Sequence, residues 1–290
     1  MIDINQTLTF DQERQSGIGG SDAAGVCRMS PYENKCPLAI YQQKLGLSSP
    51  IKDNEAMRMG REFEAPLLKM YSEDVDELDP NPGLIRHPKY PFLMAHLDGY
   101  IANDRIVEIK FINRPVYDDW KKPSEDAKLG DCPLPIYYQG MHYLMVTRLP
   151  RFDLYAYIAG RGIHHYVFYR DSSFILKMRT AEVEFWTKYV ETKTPPPPMT
   201  KYEVKLLYPQ PIKEGYSTAS DEVCKAVNQW RKTNEEVKEL NEKLEEQKNS
   251  VCCAIGEYEG LQDVDGNPLV SFKANVKGVR SLKLIKSNKG

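Results

Sequence analysis

Apolar residues recur at helical spacing through Met59, Phe63, Leu67 and Met70, which predicts a helix from Glu55 to about Asp74. Pro66 lies inside that pattern, two residues after Glu64, and is expected to kink or break the helix. Upstream, Ser16-Gly17-Ile18-Gly19-Gly20 runs into a short helix that Ser21 or Asp22 can cap. Pro37 to Leu45 reads as another helix, with proline in its first turn and Gly46 ending it. The period then shortens, and Leu84–His87, Leu93–Ile101 and Arg105–Phe111 read as strands, with turn chemistry at Asn103-Asp104. A helix over Pro135–Thr147 follows, then a hairpin of Leu154–Ala159 and Ile163–Tyr169 around Gly160-Arg161-Gly162. A helix over Ser173–Thr192 ends at Pro195-Pro196-Pro197-Pro198, a stiff extended linker. Helices, mixed strands, helix, strands, helix is the order of an α/β or α+β core.

Past residue 200 the character changes. Asp221 to about Ala254 is a long charged helix in which Trp230, Val237, Leu244 and Val251 recur every seven residues. Asn234, Asn241 and Lys248 interrupt the neighbouring seam, which favours an intramolecular helical hairpin over a strong zipper. Gly260 to Ile285 reads as a small hairpin turning at Asp265-Gly266-Asn267. The predicted domains are therefore 1–199 and an appendage, 200–290.

Length and composition, 290 residues with 41% hydrophobic and 28% charged, are those of a globular protein. No apolar run reaches the length of a membrane span, and the opening Met1-Ile2-Asp3-Ile4-Asn5-Gln6 is no signal peptide. Six cysteines without repeated spacing, two of them adjacent at Cys252-Cys253, suggest reduced thiols in a cytosolic compartment. A net charge of −2 does not advertise nucleic-acid binding. A DNA enzyme of this composition must concentrate its lysines and arginines, or neutralise phosphates with metal ions.

Candidate chemistry centres on Leu97-Asp98-Gly99-Tyr100 and Val107-Glu108-Ile109-Lys110. On a strand Glu108 and Lys110 share a face, roughly 7 Å apart. Two carboxylates near 4 Å would repel by ~4 kcal/mol at an effective dielectric of about 20, so a divalent cation or a shared proton is expected between Asp98 and Glu108. Parity makes this testable. A two-residue loop at Asn103-Asp104 sets Asp98 opposite Ile109, on the wrong face, so the hairpin needs an odd loop or a bulge, for which Gly99 is the natural place.

Arg14…Gly17-Ile18-Gly19-Gly20-Ser21-Asp22-Ala23-Ala24…Ser30-Pro31-Tyr32, Gly60-Arg61-Glu62-Phe63-Glu64, Leu97-Asp98-Gly99, Glu108-Ile109-Lys110 and Tyr138-Gln139-Gly140-Met141-His142-Tyr143 occur in one order. That series, across roughly residues 10–195, resembles the YqaJ-like viral recombinase nucleases, relatives of phage lambda exonuclease in the PD-(D/E)xK superfamily. Two departures stand out: Leu97 where the family often has proline, and Met141 where a second glutamine sometimes follows Gln139.

The resemblance implies a restriction-endonuclease-like core with a mixed sheet flanked by helices. It implies a processive exonuclease that degrades the 5′-ended strand of linear duplex DNA, leaving 3′ overhangs for strand annealing. It also implies a homotrimer ring, a single-strand annealing protein as partner, and a phage or prophage role in the cytoplasm of a bacterial host. Under it, Asp98, Glu108 and the Ile109 backbone carbonyl hold Mg2+, for which Mn2+ can substitute, with Glu64 as a further ligand or water-fixing group. Lys110 orients or deprotonates the attacking water and offsets phosphate charge. Arg14 and Ser21, with Gly20 and Gln139 nearby, contact DNA, the first two gripping a terminal 5′ phosphate.

Other groups draw weaker readings. His96 is expected on the strand face of Asp98 as a packed or supporting histidine, and of His164-His165 only one can face the core. Tyr155, Tyr157, Tyr166 and Tyr169 suit core or cross-strand pairing better than base stacking, and Lys121-Lys122 suit solvated surface. Two competing functions stay open: a restriction-type or structure-specific endonuclease on the same core, and a non-catalytic DNA-end-binding protein.

Overall fold

The computed structural model describes residues 10–49, 53–113, 119–213 and 215–285; the polar opening Met1–Gln6 lies outside them. Contacts divide the chain into two compact units, Met1–Pro211 and Ile212–Gly290.

The first unit begins with α1 (Phe10–Gln15), α2 (Gly20–Val26), α3 (Pro37–Lys44) and α4 (Glu55–Asp74). Asn54 caps α4, its side chain accepting the Met57 N–H at 3.0 Å. The helix runs without interruption through Pro66, so the expected break is absent. Its buried stripe is Leu67 and Tyr71, and Met70 faces solvent. Tyr71 takes the inward place because residues four apart stay on one face and its hydroxyl has a buried partner. That partner is Asp153, whose Oδ2 accepts the tyrosine O–H at 2.7 Å and lies 3.0 Å from His165 Nε2. Glu64, seven residues earlier, shares that side of α4 two turns away.

Next come β1 (Ile85–Arg86), β2 (Met94–Ala95), β3 (Gly99–Ile101) and β4 (Arg105–Ile112), then α5 (Leu134–Thr147), β5 (Arg151–Ile158), β6 (Gly162–Tyr169), α6 (Ser172–Phe185) and α7 (Lys201–Leu207). The expected strand 93–101 is split. β2 pairs with β1, whereas β3 joins the main sheet, ordered β3-β4-β5-β6. Only β4–β5 is parallel, with α5 as its crossover. As a central strand β4 is buried over Arg105–Ile109. Val107 and Ile109 pack with Leu67, Tyr71 and Tyr155 beneath α4, while Ile106 joins the larger core that contains Leu144 of α5 and Met178 of α6.

α5 lies close to β5 because Gly140 has no side chain: a Cβ there would come within 2.3 Å of the Phe152 ring, which stacks on Phe168. α6 continues into a π-type turn, Trp186–Val190. The proline run holds no helix or strand, and α7 belongs to this first unit, since Glu203 is buried against Arg28 at 2.9 Å. The contacts thus divide the chain some twelve residues later than the compositional change at 200.

The second unit is α8 (Asp221–Ile255) followed by β7 (Gly260–Gln262), β8 (Pro268–Ala274) and β9 (Arg280–Leu284), an antiparallel sheet in that order. One strand more than the expected hairpin is present because Arg280 anchors β9: its guanidinium lies 4.1 Å from the Phe272 ring centre and donates to the Gly256 carbonyl. Among its described residues this unit holds one helix, so the second arm of a helical hairpin is not found there.

Gly140→Ala should lower stability by about 1–3 kcal/mol through overpacking against Phe152. An unchanged urea midpoint would contradict the close approach of α5 to the sheet.

Candidate active site

The β3–β4 loop is Ala102-Asn103-Asp104, three residues, with Asn103 at φ +59°. The odd length sets Gly99 opposite Val107, so the position opposite Glu108 is that of Asp98. Here parity is corrected by the loop itself, and the strand break at residues 96–98 stands in for a bulge at Gly99. Asp98 Oδ2 accepts the Ile109 N–H at 2.9 Å.

Glu108 is 1% exposed. One carboxylate oxygen meets Lys110 Nζ, and the other, Oε2, is buried with no hydrogen-bond partner. Burial first, then the Asp98 charge, push its carboxyl up to about 8 despite Lys110. Asp98 is raised by burial against the opposing pull of Lys110 and the Ile109 amide. Glu64, exposed on α4, is raised by partial desolvation and by Asp98. Burial alone would lower Lys110, yet the charges of Glu108 and Asp98 outweigh it and the ammonium holds its proton more firmly than usual. Tyr143 of α5 is buried beside these acids and raised well above its ordinary value by burial, Glu108 and Asp98.

Asp98, Glu108, Lys110 and Glu64 are therefore brought within electrostatic reach of one another. Among the described residues no three His, Cys, Asp or Glu side chains converge as a ready ligand set. The groups that fit a hard cation are the Asp98/Glu108 pair and the unpartnered Glu108 oxygen, with Glu64 on the rim.

The second cluster adjoins the first. Asp22 Oδ2 bonds Lys44 Nζ at 2.6 Å, and Arg14 Nη2 lies 3.6 Å from Asp22 Oδ1 and 3.4 Å from Ser21 Oγ. Burial opposes ionisation of Asp22, but Lys44 and Arg14 hold its carboxyl down at about 2. Asp22 acts at the third position of α2, accepting the Gly19 N–H at 3.3 Å. Gly20 sits against the Tyr143 ring, where a Cβ would come within 2.6 Å, and Gln139 donates to the Tyr143 hydroxyl at 3.1 Å.

Residues 9–150 match the model of the YqaJ-like viral recombinase domain. Over that stretch the chain is similar to YqaJ-like viral recombinase domains. A structure of LHK-Exo in complex with dAMP shares the fold with TM-score 0.51 and 19% identity, covering 64% of this chain and 93% of that one. The alkaline exonuclease LHK-Exo from Laribacter hongkongensis aligns with TM-score 0.48 and 20% identity over 62% and 91%. A phage related exonuclease from Haemophilus somnus 129PT aligns with TM-score 0.45 and 13% identity over 61% and 94%. No curated protein sequence matches this chain. At 19% identity the likeness to the LHK-Exo structure speaks for the fold.

Not every reading of the sequence survives in the structure. His96 lies outside the strands, exposed, 3.3 Å from Glu13. His165 meets buried Asp153 and His164 meets the Tyr166 hydroxyl. Tyr155 and Tyr166 are core residues, and Tyr169 is exposed. Sequence reasoning gave no role to Lys44, Lys35 or Tyr143; only the position of Tyr143 one turn after Gln139 signalled it.

In the metal-free protein a carboxyl-carbon NMR titration of Glu108 should show a midpoint near 8 rather than 4.5. Removing the repelling charge in Asp98→Asn should lower that midpoint, and removing the attracting one in Lys110→Met should raise it. An ordinary midpoint insensitive to both changes would contradict this electrostatic arrangement.

Proposed function

We propose that the protein is a divalent-metal-dependent exonuclease that degrades the 5′-ended strand of linear duplex DNA processively and leaves 3′ overhangs for strand annealing. What supports this reading above all is the buried Glu108, opposite Asp98 and in contact with Lys110, with one oxygen left without a hydrogen bond. A buried carboxylate so placed reduces stability, and a cation between the acids offsets that cost.

Asp98, Glu108 and the Ile109 carbonyl would hold Mg2+, or Mn2+ in its place, with Glu64 completing the set. When bound, the cation supplies positive charge at the scissile phosphate and acidifies water there. Lys110, which keeps its proton, donates to the attacking water and to phosphate oxygens; as it stands it is a donor rather than a base. Tyr143, buried beside the acids, keeps its phenol protonated. Arg14 reaches the Ser21 hydroxyl, which suits a grip on the terminal 5′ phosphate, with Gln139 and Gly20 packed against Tyr143 nearby. In this reading the trimer ring and the annealing partner follow from the family, and residues 212–290 are an accessory unit.

End-labelled linear duplex should be degraded with Mg2+ and not with chelator, while covalently closed circular DNA stays intact. Lys110→Ala should lose at least ~100-fold in rate, and 5′-hydroxyl ends should react more slowly than 5′-phosphate ends, a difference that Arg14→Ala erases. Cutting of closed circles would favour the endonuclease, and binding without metal-stimulated products would favour the end-binding protein.

A further inference from the structure

The acids and Arg14 leave one concentration of positive charge unexplained. Arg148 ends α5 in the left-handed region, φ +65°, its backbone N–H bonded to the Leu144 carbonyl at 2.9 Å. Arg170, just past β6, directs its guanidinium at the same carbonyl, and its own N–H bonds Pro150 O at 2.7 Å. Arg179, two turns into α6, and Arg148 act on Arg170 strongly enough, together with burial, to lower its proton affinity. The charges of all three arginines, and that of His142, act on buried His87. Its Nδ1 accepts the Lys89 and Tyr90 N–H groups at 3.2 Å each, so the ring proton is on Nε2 and the ring is neutral. Burial and the surrounding cations hold its pKa below the ordinary value.

Among the described residues no carboxylate lies within 4 Å of the Arg148, Arg170 or Arg179 guanidinium, although the chain carries more acids than bases, 41 to 39. One of the three has a local explanation, since Arg170 satisfies a carbonyl at the C-terminal end of α5. Arg148 and Arg179 have none, and like charges gathered without a counter-charge cost stability. The cluster sits where β5 begins, beside Arg151, which pairs in register with Arg105. Lys110 lies five residues further along β4, about 17 Å away at ~3.3 Å per residue. This is a third cluster, separate from the acids.

We propose that Arg148, Arg170 and Arg179 form a contact for successive phosphates of the DNA duplex, remote from the cleaved end. The inference rests on the reading of the protein as a DNA exonuclease and adds a place where duplex is held while the end is processed.

The test is fluorescence anisotropy of a linear duplex of about 40 base pairs, titrated with protein in EDTA from about 50 to 200 mM salt. The double variant Arg148→Ala/Arg179→Ala spares Arg170 and its helix contact; its thermal midpoint and its mass in solution are measured alongside. With two phosphate contacts gone, the slope of log affinity against log salt should flatten by about 2, and the dissociation constant should rise roughly tenfold at physiological salt. An unchanged slope in a folded variant overturns the proposal. An unchanged slope with an altered mass also overturns it and makes the cluster a contact between copies of the chain. Wild-type protein that fails to cleave linear duplex with Mg2+ defeats the exonuclease reading instead, whereas cleavage with an unaltered salt slope defeats the phosphate contact alone.

Discussion

A carboxylate buried beside another carboxylate is the constraint around which the first unit is organised. Glu108 cannot reach water, touches one ammonium, and leaves an oxygen without a partner. Folding alone does not favour such a group, because desolvating a charge costs more than one neighbour returns. The features that hold it there are specific. An odd loop brings Asp98 across from it, the parallel pairing of β4 with β5 buries its strand, and Tyr143 of α5 covers it. Tyr71 fastens α4 to Asp153 and so fixes the helix that carries Glu64.

The second cluster has the opposite balance. Arg14, Lys44 and Lys35 surround a single buried carboxylate, Asp22, which stays ionised because those cations outnumber it. Tyr143 is tied to both clusters: the charges of the acids act on it and Gly20 sits against its ring. A cluster of acids thus adjoins a cluster of bases. Sites of opposite sign within one wall also explain why overall charge says so little: −2 is the sum of strong local fields.

Much of this was legible in the residues. Helical period located α4, and the alternation of side chains along β4 set Glu108 and Lys110 on one face. Parity demanded an odd loop or a bulge, because a one-residue change in register reverses a strand's faces. Other features were hidden because they depend on partners distant in sequence. Tyr71 rather than Met70 is buried because Asp153 lies 82 residues away, and Lys44 reads as a surface lysine until α3 brings it to Asp22. The division of strand 93–101 arises from pairing of β2 with β1, and alternation cannot register a strand that changes sheets. His142, fully buried between Glu182 and the Met94 carbonyl, looked like any other member of an aromatic helix. In the second unit the turn at Asp265-Gly266 was readable, but the third strand depends on Arg280 meeting Phe272.

The measurement that bears most directly on this account is anomalous diffraction from crystals soaked in Mn2+. The account predicts a peak bridging the Asp98 and Glu108 carboxylates, with Lys110 withdrawn from the glutamate oxygen it otherwise contacts. A Glu108–Lys110 contact left intact at saturating Mn2+, with no peak between the two acids, would contradict it.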